Sequence, residues 1–297
     1  MRHGDIPERL GAHVSVQGGV ETGPARGMAI GASAIQIFTK TPNQWREPVI
    51  LPASRDAFER EYERSGLRSI VSHDSYLINL ASPDTALNAR SRDSFTRELE
   101  RCESLGIPAV VSHPGNYIDE REAGLIRNAA AVTRCLEVVP GGVRILLETT
   151  AGSGTALGSR FEELAAIRDA VGEHVRHRVG FCADTCHLYA AGYDLVNDYD
   201  GVWSRFETAI GLAHLGCLHL NDSKTPFNSR RDRHELIAEG SLGPGPFRRI
   251  MTDPRFAGIP KILETPKGED AVAGDRRMLR RLRAYARPRV PRGSPSR

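Results

Sequence analysis

Eight short runs of apolar and β-branched residues punctuate the chain, at Gly11–Ser15, Ala34–Phe38, Ser69–His73, Ala109–His113, Ile145–Thr149, Val179–Asp184, Cys217–Asn221 and Lys261–Thr265. Each is followed by a polar or glycine-containing segment and then by a helical pattern, and most of the later runs begin about 35 to 45 residues apart. That interval holds a loop, a helix and a return loop, the crossover that a parallel strand pair requires. Eight such units in 297 residues, with no linker or composition break, predict an α/β fold closed as a single (β/α)8 TIM barrel in preference to an open doubly wound sheet. The intervening segments agree. Ser91 to Leu105 places Phe95, Leu99, Cys102 and Leu105 on one helical face, and Gly106 and Pro108 end it. Arg160–Val171 and Gly201–Leu215 read in the same way. The expected organisation is a barrel domain over residues 1–286 and a basic, disordered tail over 287–297, rich in Pro, Gly and Ser.

Composition narrows the class. With 40% hydrophobic and 26% charged residues the chain reads as globular. It holds no apolar run of the ~18 residues that a membrane helix needs, and MRHGDIPERL lacks a signal-peptide core, so a cytoplasmic location with no membrane partner is expected. Five cysteines without CxxC spacing fit neither a disulfide framework nor a Cys-rich zinc knuckle, and are expected as buried thiols. The net charge is +3, but Arg276 to Arg297 carries nine Arg and no acid, which leaves −6 on the rest of the chain. Such a tail suits a polyanion, and equally suits a solvated terminus.

In a TIM barrel the active site lies at the C-terminal ends of the strands. The polar residues that end these runs are His73, His113, Glu148, Asp184 with the neighbouring His187, His219 and Glu264. A second concentration follows the seventh run in HLNDSKTPFNSRRDRH, where Asp232 and His234 stand two apart and, on an extended segment, point to the same side. The nine candidates are five His and four carboxylates. Buried groups of this kind are costly unless they are paired or hold a metal. Nitrogen and oxygen donors without thiolate suit Zn²⁺, with Mn²⁺ or Fe²⁺ as alternatives. One catalytic zinc needs about three protein ligands, so nine point to a cluster of two or three ions with bridging carboxylates. Such a cluster makes hydroxide near neutral pH and holds both the attacking and the leaving oxygen of a phosphoryl transfer, so phosphodiester hydrolysis is the leading chemistry.

Three segments also carry a family resemblance: His73-Asp-Ser-Tyr-Leu-Ile-Asn-Leu-Ala81, Gly180-Phe-Cys-Ala-Asp-Thr-Cys-His187, and the stretch His219 to His234. In this order they resemble the signature segments of the endonuclease IV family of abasic-site endonucleases, over most of the chain. The resemblance implies three Zn²⁺ ions. His73, His113 and Glu148 would hold one; Glu148 would bridge to a second held by Asp184, His219 and Glu264; His187, Asp232 and His234 would hold the third. Glu148 and Glu264 are the residues on which catalysis would depend. The implied reaction is DNA repair. A metal-bound hydroxide would attack phosphorus in line on the 5′ side of an abasic site in duplex DNA, leaving a 3′-hydroxyl and a 5′-deoxyribose phosphate. Cleaning of blocked 3′ ends, by a monomer, is also expected. Two loops, Thr41–Glu47 and Asp74–Asn79, follow strands and so belong to the same rim. Tyr76 and Leu77 match family residues that wedge into the duplex. Asn43 stands where some members have an inserting Arg, with Arg46 the nearest substitute, and Trp45 and Lys224 complete the expected DNA-facing set. Ala183 and Ala238 replace a usually larger residue and a usual Gly, with only local repacking expected.

Two other readings compete. A metal-dependent sugar isomerase or epimerase shares this barrel and these residue types but uses one or two ions, and a DNA-binding protein without catalysis has no need of nine ligands. Elsewhere, Gly152–Gly158 lacks the GK[ST] ending of a phosphate-binding loop and reads as a flexible loop. Gly243–Pro246 reads as a turn. His174, His177 and His214 read as surface or packing residues, and His13 as a residue that orients a ligand.

Overall fold

A computed structural model describes residues 8–287; of the expected tail, 287–297, all but Arg287 lies outside them. Eight parallel strands close into a barrel: β1 (Leu10–His13), β2 (Ala34–Phe38), β3 (Ser69–His73), β4 (Ala109–Ser112), β5 (Arg144–Glu148), β6 (Val179–Asp184), β7 (Leu215–His219) and, after a small antiparallel pair β8 (Asp222–Ser223) and β9 (His234–Glu235), β10 (Lys261–Leu263). The ring closes where β1 pairs with both β10 and β2. All eight expected runs are barrel strands. Gly11 is required at the β1–β2 seam, because a Cβ there would collide with the carbonyl of Ala34.

Side-chain alternation sorts the barrel into layers. Ala34, Val71, Ala109, Val111, Leu146, Cys182, Cys217 and Ile262 form one apolar cluster inside the barrel, while their strand neighbours Ile35, Ile70, Val110, Ile145, Leu147, Phe181, Ala183 and Leu218 join the larger core beneath the helices. Two residues further along the strands the inward position is polar on β2, β3, β5, β6 and β7: Gln36, His73, Glu148, Asp184 and His219. His113 and Glu264 continue that parity just past β4 and β10. An apolar floor therefore carries a polar layer at the C-terminal mouth.

The helices depart from the sequence expectations at their starts. The helix expected from Ser91 begins at Thr85, because Asp84 caps it by accepting from the backbone N–H groups of Ala86 and Leu87. Its stripe of Phe95, Leu99, Cys102 and Leu105 is buried as expected. Gly243–Pro246, read as a turn, instead opens the helix Pro244–Thr252, with proline in the first turn where its missing N–H costs nothing. The helix expected within Gly201–Leu215 begins earlier, at Tyr199, and ends at Ala209, and a short 3-10 turn follows at Leu212–His214. Ala238, expected to need only local repacking, has a left-handed backbone with φ +63°, so its departure from Gly is a backbone matter as well. The five cysteines are buried thiols. No helix among the described residues is long and apolar enough to cross a membrane.

Candidate metal centre

The nine expected ligands meet at one mouth. Glu148, fully buried at the end of β5, is the hub: its Oε2 lies 3.3 Å from His73 Nε2 and 3.2 Å from His113 Nε2, and its Oε1 lies 3.0 Å from His219 Nδ1 and 3.3 Å from His187 Nδ1. Glu264 Oε2 approaches His219 Nδ1 at 3.2 Å. On the third side Asp232 sits between two imidazoles, 3.2 Å from His187 Nε2 and 3.2 Å from His234 Nε2. Ligand atoms gather into three groups, each within 4.8 Å: His73, His113 and Glu148; Glu148, Asp184, His219 and Glu264; His187, Asp232 and His234. Asp232 and His234 converge as their spacing predicted, because His234 opens β9, which pairs with β8 just beyond β7.

Hydrogen bonds fix which ring nitrogen is free. His187 Nδ1 donates to the Thr149 carbonyl at 2.8 Å and His234 Nδ1 to the Glu264 carbonyl at 3.2 Å. Their Nε2 atoms, 3.4 Å apart, then present two lone pairs to each other and to the Asp232 carboxylate, an arrangement that repels until a cation or a proton enters. The same logic holds for His73, whose Nδ1 donates to the Asp74 carbonyl at 3.0 Å and leaves Nε2 toward Glu148. His219 Nε2 donates to Gln36 Oε1 at 2.8 Å, leaving Nδ1 toward Glu148 and Glu264. The donor set thus fits divalent cations held by imidazole and carboxylate.

The electrostatics carry the same demand for positive charge. Burial alone would lower the His73 and His187 imidazoles. Asp74 and Glu148 outweigh it for the first, and Asp184, Asp232 and Glu148 for the second, raising both well above the ordinary value. Burial would raise the Glu148 carboxyl, but His219 and His113 hold it well below the carboxylate range. Glu264 behaves likewise beside His219 and His13.

Two supporting residues, Gln36 and Asn221, were not among the sequence candidates. Gln36 lies mid-run, fully buried, donates to Glu264 at 2.6 Å and to His13 Nδ1 at 3.0 Å, and accepts from His219. Inward parity with Ala34 is the signal that finds it. Asn221 donates to Asp184 at 2.6 Å and accepts from the Glu264 backbone at 2.8 Å, tying two ligand strands together. His13, expected to orient a ligand, accepts from Gln36 and stands 3.7 Å from Glu264.

Of the expected DNA-facing residues, Tyr76, Asn43, Arg46 and Lys224 are exposed and Leu77 half-buried. The Tyr76 ring packs edge-on against Phe38 and flanks a mouth cavity of about 510 Å³ that also reaches His73, His187 and Glu264. Trp45 is half-buried beneath the guanidinium of Arg90, 4.5 Å from the ring centre. The loop that carries Asn43, Trp45 and Arg46 is anchored by a buried ion network: Glu47 accepts from Lys40 at 2.5 Å, Ser94 at 2.6 Å and Arg101 at 2.7 Å, while Arg101 also binds Thr39 and Glu98, each at 2.7 Å. Ser75 donates to the Pro42 carbonyl at 2.6 Å and joins the two rim loops.

Barrel and donor set together define a metal-dependent enzyme of the xylose isomerase-like TIM-barrel class, and a family model of that description matches residues 25–282. Closer relatives narrow this. A probable endonuclease 4 from Chloroflexus aggregans is 47% identical over 283 residues, spanning 94% of this chain and 98% of the relative. One from Geobacter sulfurreducens is 48% identical over 266 residues, spanning 88% and 89%. The crystal structure of endonuclease IV from Thermus thermophilus superposes with a TM-score of 0.83 at 36% identity, covering 94% of this chain and 98% of that one. The chain belongs to the endonuclease IV family. A D-tagatose 3-epimerase-like protein, at 17% identity and a TM-score of 0.68, shares the fold alone.

Proposed function

We propose that this protein is a DNA-repair enzyme that cuts duplex DNA on the 5′ side of abasic sites, leaving a 3′-hydroxyl and a 5′-deoxyribose phosphate, and that it also clears blocked 3′ ends. The observation that carries the reading is the convergence of three ligand groups on one barrel mouth, with Glu148 common to two of them. The groups correspond to three Zn²⁺ ions, with Mn²⁺ or Fe²⁺ as alternative occupants of some positions. When bound, the ions supply Lewis acidity and an activated water for in-line phosphoryl transfer.

The chain's own residues do the rest. Glu148 and Glu264 hold two negative charges against His219, and Gln36 fixes the ring so that one nitrogen faces both carboxylates. His187 and His234 are locked by backbone carbonyls, so the Asp232 side of the mouth is pre-formed before substrate arrives. Tyr76 and Leu77 stand at the rim as wedges for the duplex, with Asn43, Trp45 and Arg46 on the adjoining loop and Lys224 beyond. The catalytic unit is the barrel over residues 1–286, acting as a monomer in the cytoplasm.

The test is a duplex bearing one stable abasic analogue. Incision 5′ of the lesion, with a 3′ end that a polymerase extends, is the expected result. An intact duplex, together with epimerisation of a ketose, would instead support the sugar-epimerase reading. Glu264→Gln keeps the fold and should lower incision by orders of magnitude, since it weakens the centre and not the scaffold; near-wild-type turnover would remove Glu264 from the reaction.

A further inference from the structure

Two sulfurs lie directly beneath the polar layer. Cys182 and Cys217 are register partners on β6 and β7, face the barrel axis in the apolar floor, and have no exposed surface. Each stands two residues before a ligand of the mouth, Asp184 and His219. On a strand that is the next inward position. A sulfur of each and a ring nitrogen of His219 lie within 4.8 Å of one another. The other members of the floor are hydrocarbon side chains.

Two thiolates and an imidazole are a softer donor set than the carboxylates and imidazoles above, and softness selects d10 cations such as Cu⁺, Cd²⁺ and Hg²⁺. A metal–sulfur bond of about 2.3 Å for zinc, longer for cadmium, lets one ion span this separation. We infer that Cys182, Cys217 and His219 form a site for thiophilic cations beneath the centre at the mouth, sharing His219 with it and so in competition with it. The competition follows from His219. Its Nδ1 serves Glu148 and Glu264 and its Nε2 serves Gln36, so either nitrogen given to a cation in the floor is withdrawn from the mouth. For Cd²⁺ the step forms two Cd–S bonds and one Cd–N bond and releases two thiol protons to solvent, with no electron transferred. The functional consequence is an enzyme silenced by soft metals at its own ligand layer.

The test uses the full-length, metal-loaded protein titrated with Cd²⁺, read by the ultraviolet thiolate-to-cadmium charge-transfer band, by elemental analysis and by DNA incision. Cys186 is the necessary control, since it forms a different group with Asp184 and His234. The expected result is a band in the wild type and in Cys186→Ala that is lost in Cys217→Ala. Cys217→Ala should cut DNA normally and tolerate roughly tenfold more Cd²⁺. Cys182→Ala should repeat the loss of the band, which keeps the inference testable if one variant folds poorly. A band that persists in both floor variants, or one that disappears only in Cys186→Ala, would overturn the site. The incision readout rests on the proposed function and the absorbance band does not, so the failure of one is distinguishable from the failure of the other.

Discussion

Ile118 has φ +64° and is 63% exposed, so a β-branched side chain occupies a left-handed backbone with little packing in return. That conformation costs roughly 1 to 2 kcal/mol, more than the extra entropy a glycine loses on folding. Ile118→Gly should therefore raise unfolding stability by about 0.5 to 1 kcal/mol in urea titration; a loss would show that the side chain packs after all. Lys261 poses the opposite problem. Its ammonium is buried at the N-terminal end of β10, donating to the carbonyls of Phe256 and Ile259, and burial lowers its pKa from 10.5 to about 8. Below pH 8 it is charged in both folded and unfolded chains and the burial penalty is fully present. Between 8 and 10.5 only the unfolded chain holds the proton, so stability should rise with pH by up to about 3 kcal/mol. Lys261→Met should flatten that rise, and equal slopes for the two proteins would contradict it. Neither residue was legible in the sequence, because a positive φ and the burial of one lysine depend on how distant segments pack.

At the scale of elements, the strands were legible and the helix starts less so. Apolar runs are local, whereas the cap at Asp84 and the first turn at Pro244 depend on backbone geometry that a turn-like dipeptide also satisfies. The loop from Thr39 to Glu47 shows what such reading omits: its sequence suggests a DNA-facing rim, but its shape is held by Arg101 and Glu98, more than fifty residues away. Removing one partner of a buried ion pair costs about 3 to 5 kcal/mol. Arg101→Met should lower stability by about 3 kcal/mol and raise KM for abasic duplex more than it lowers kcat. Metal content should be unchanged. Equal losses in kcat and metal content would place Arg101 in the support of the centre and not of the loop.

Over the whole molecule, one rule of parity places the chemistry. Inward positions that are apolar in the floor become Gln36, His73, Glu148, Asp184 and His219 one step higher, and the segments beyond the strands add His187 on the short helix Thr185–Ala190, Asp232 on a loop and His234 on β9. The candidate ligands at the strand ends stood out because each falls at the end of an apolar run, and Asp232 and His234 because they stand two apart. Gln36 and Asn221 did not, since an amide within or just after a strand looks like any other polar residue until its partners are known. The division of the ligands into three groups came from family resemblance, and the geometry adds the locked tautomers that leave one free nitrogen on His73, His187, His219 and His234. We propose that these groups hold three ions and that DNA incision depends on them. Elemental analysis of the purified chain, paired with incision of an abasic duplex before and after prolonged chelation, tests it most directly. The expected result is about three ions per chain, fewer by one in His234→Ala, and incision lost on chelation and restored by Zn²⁺. Full incision by a chain stripped of metal, or with a single ion bound, would contradict it.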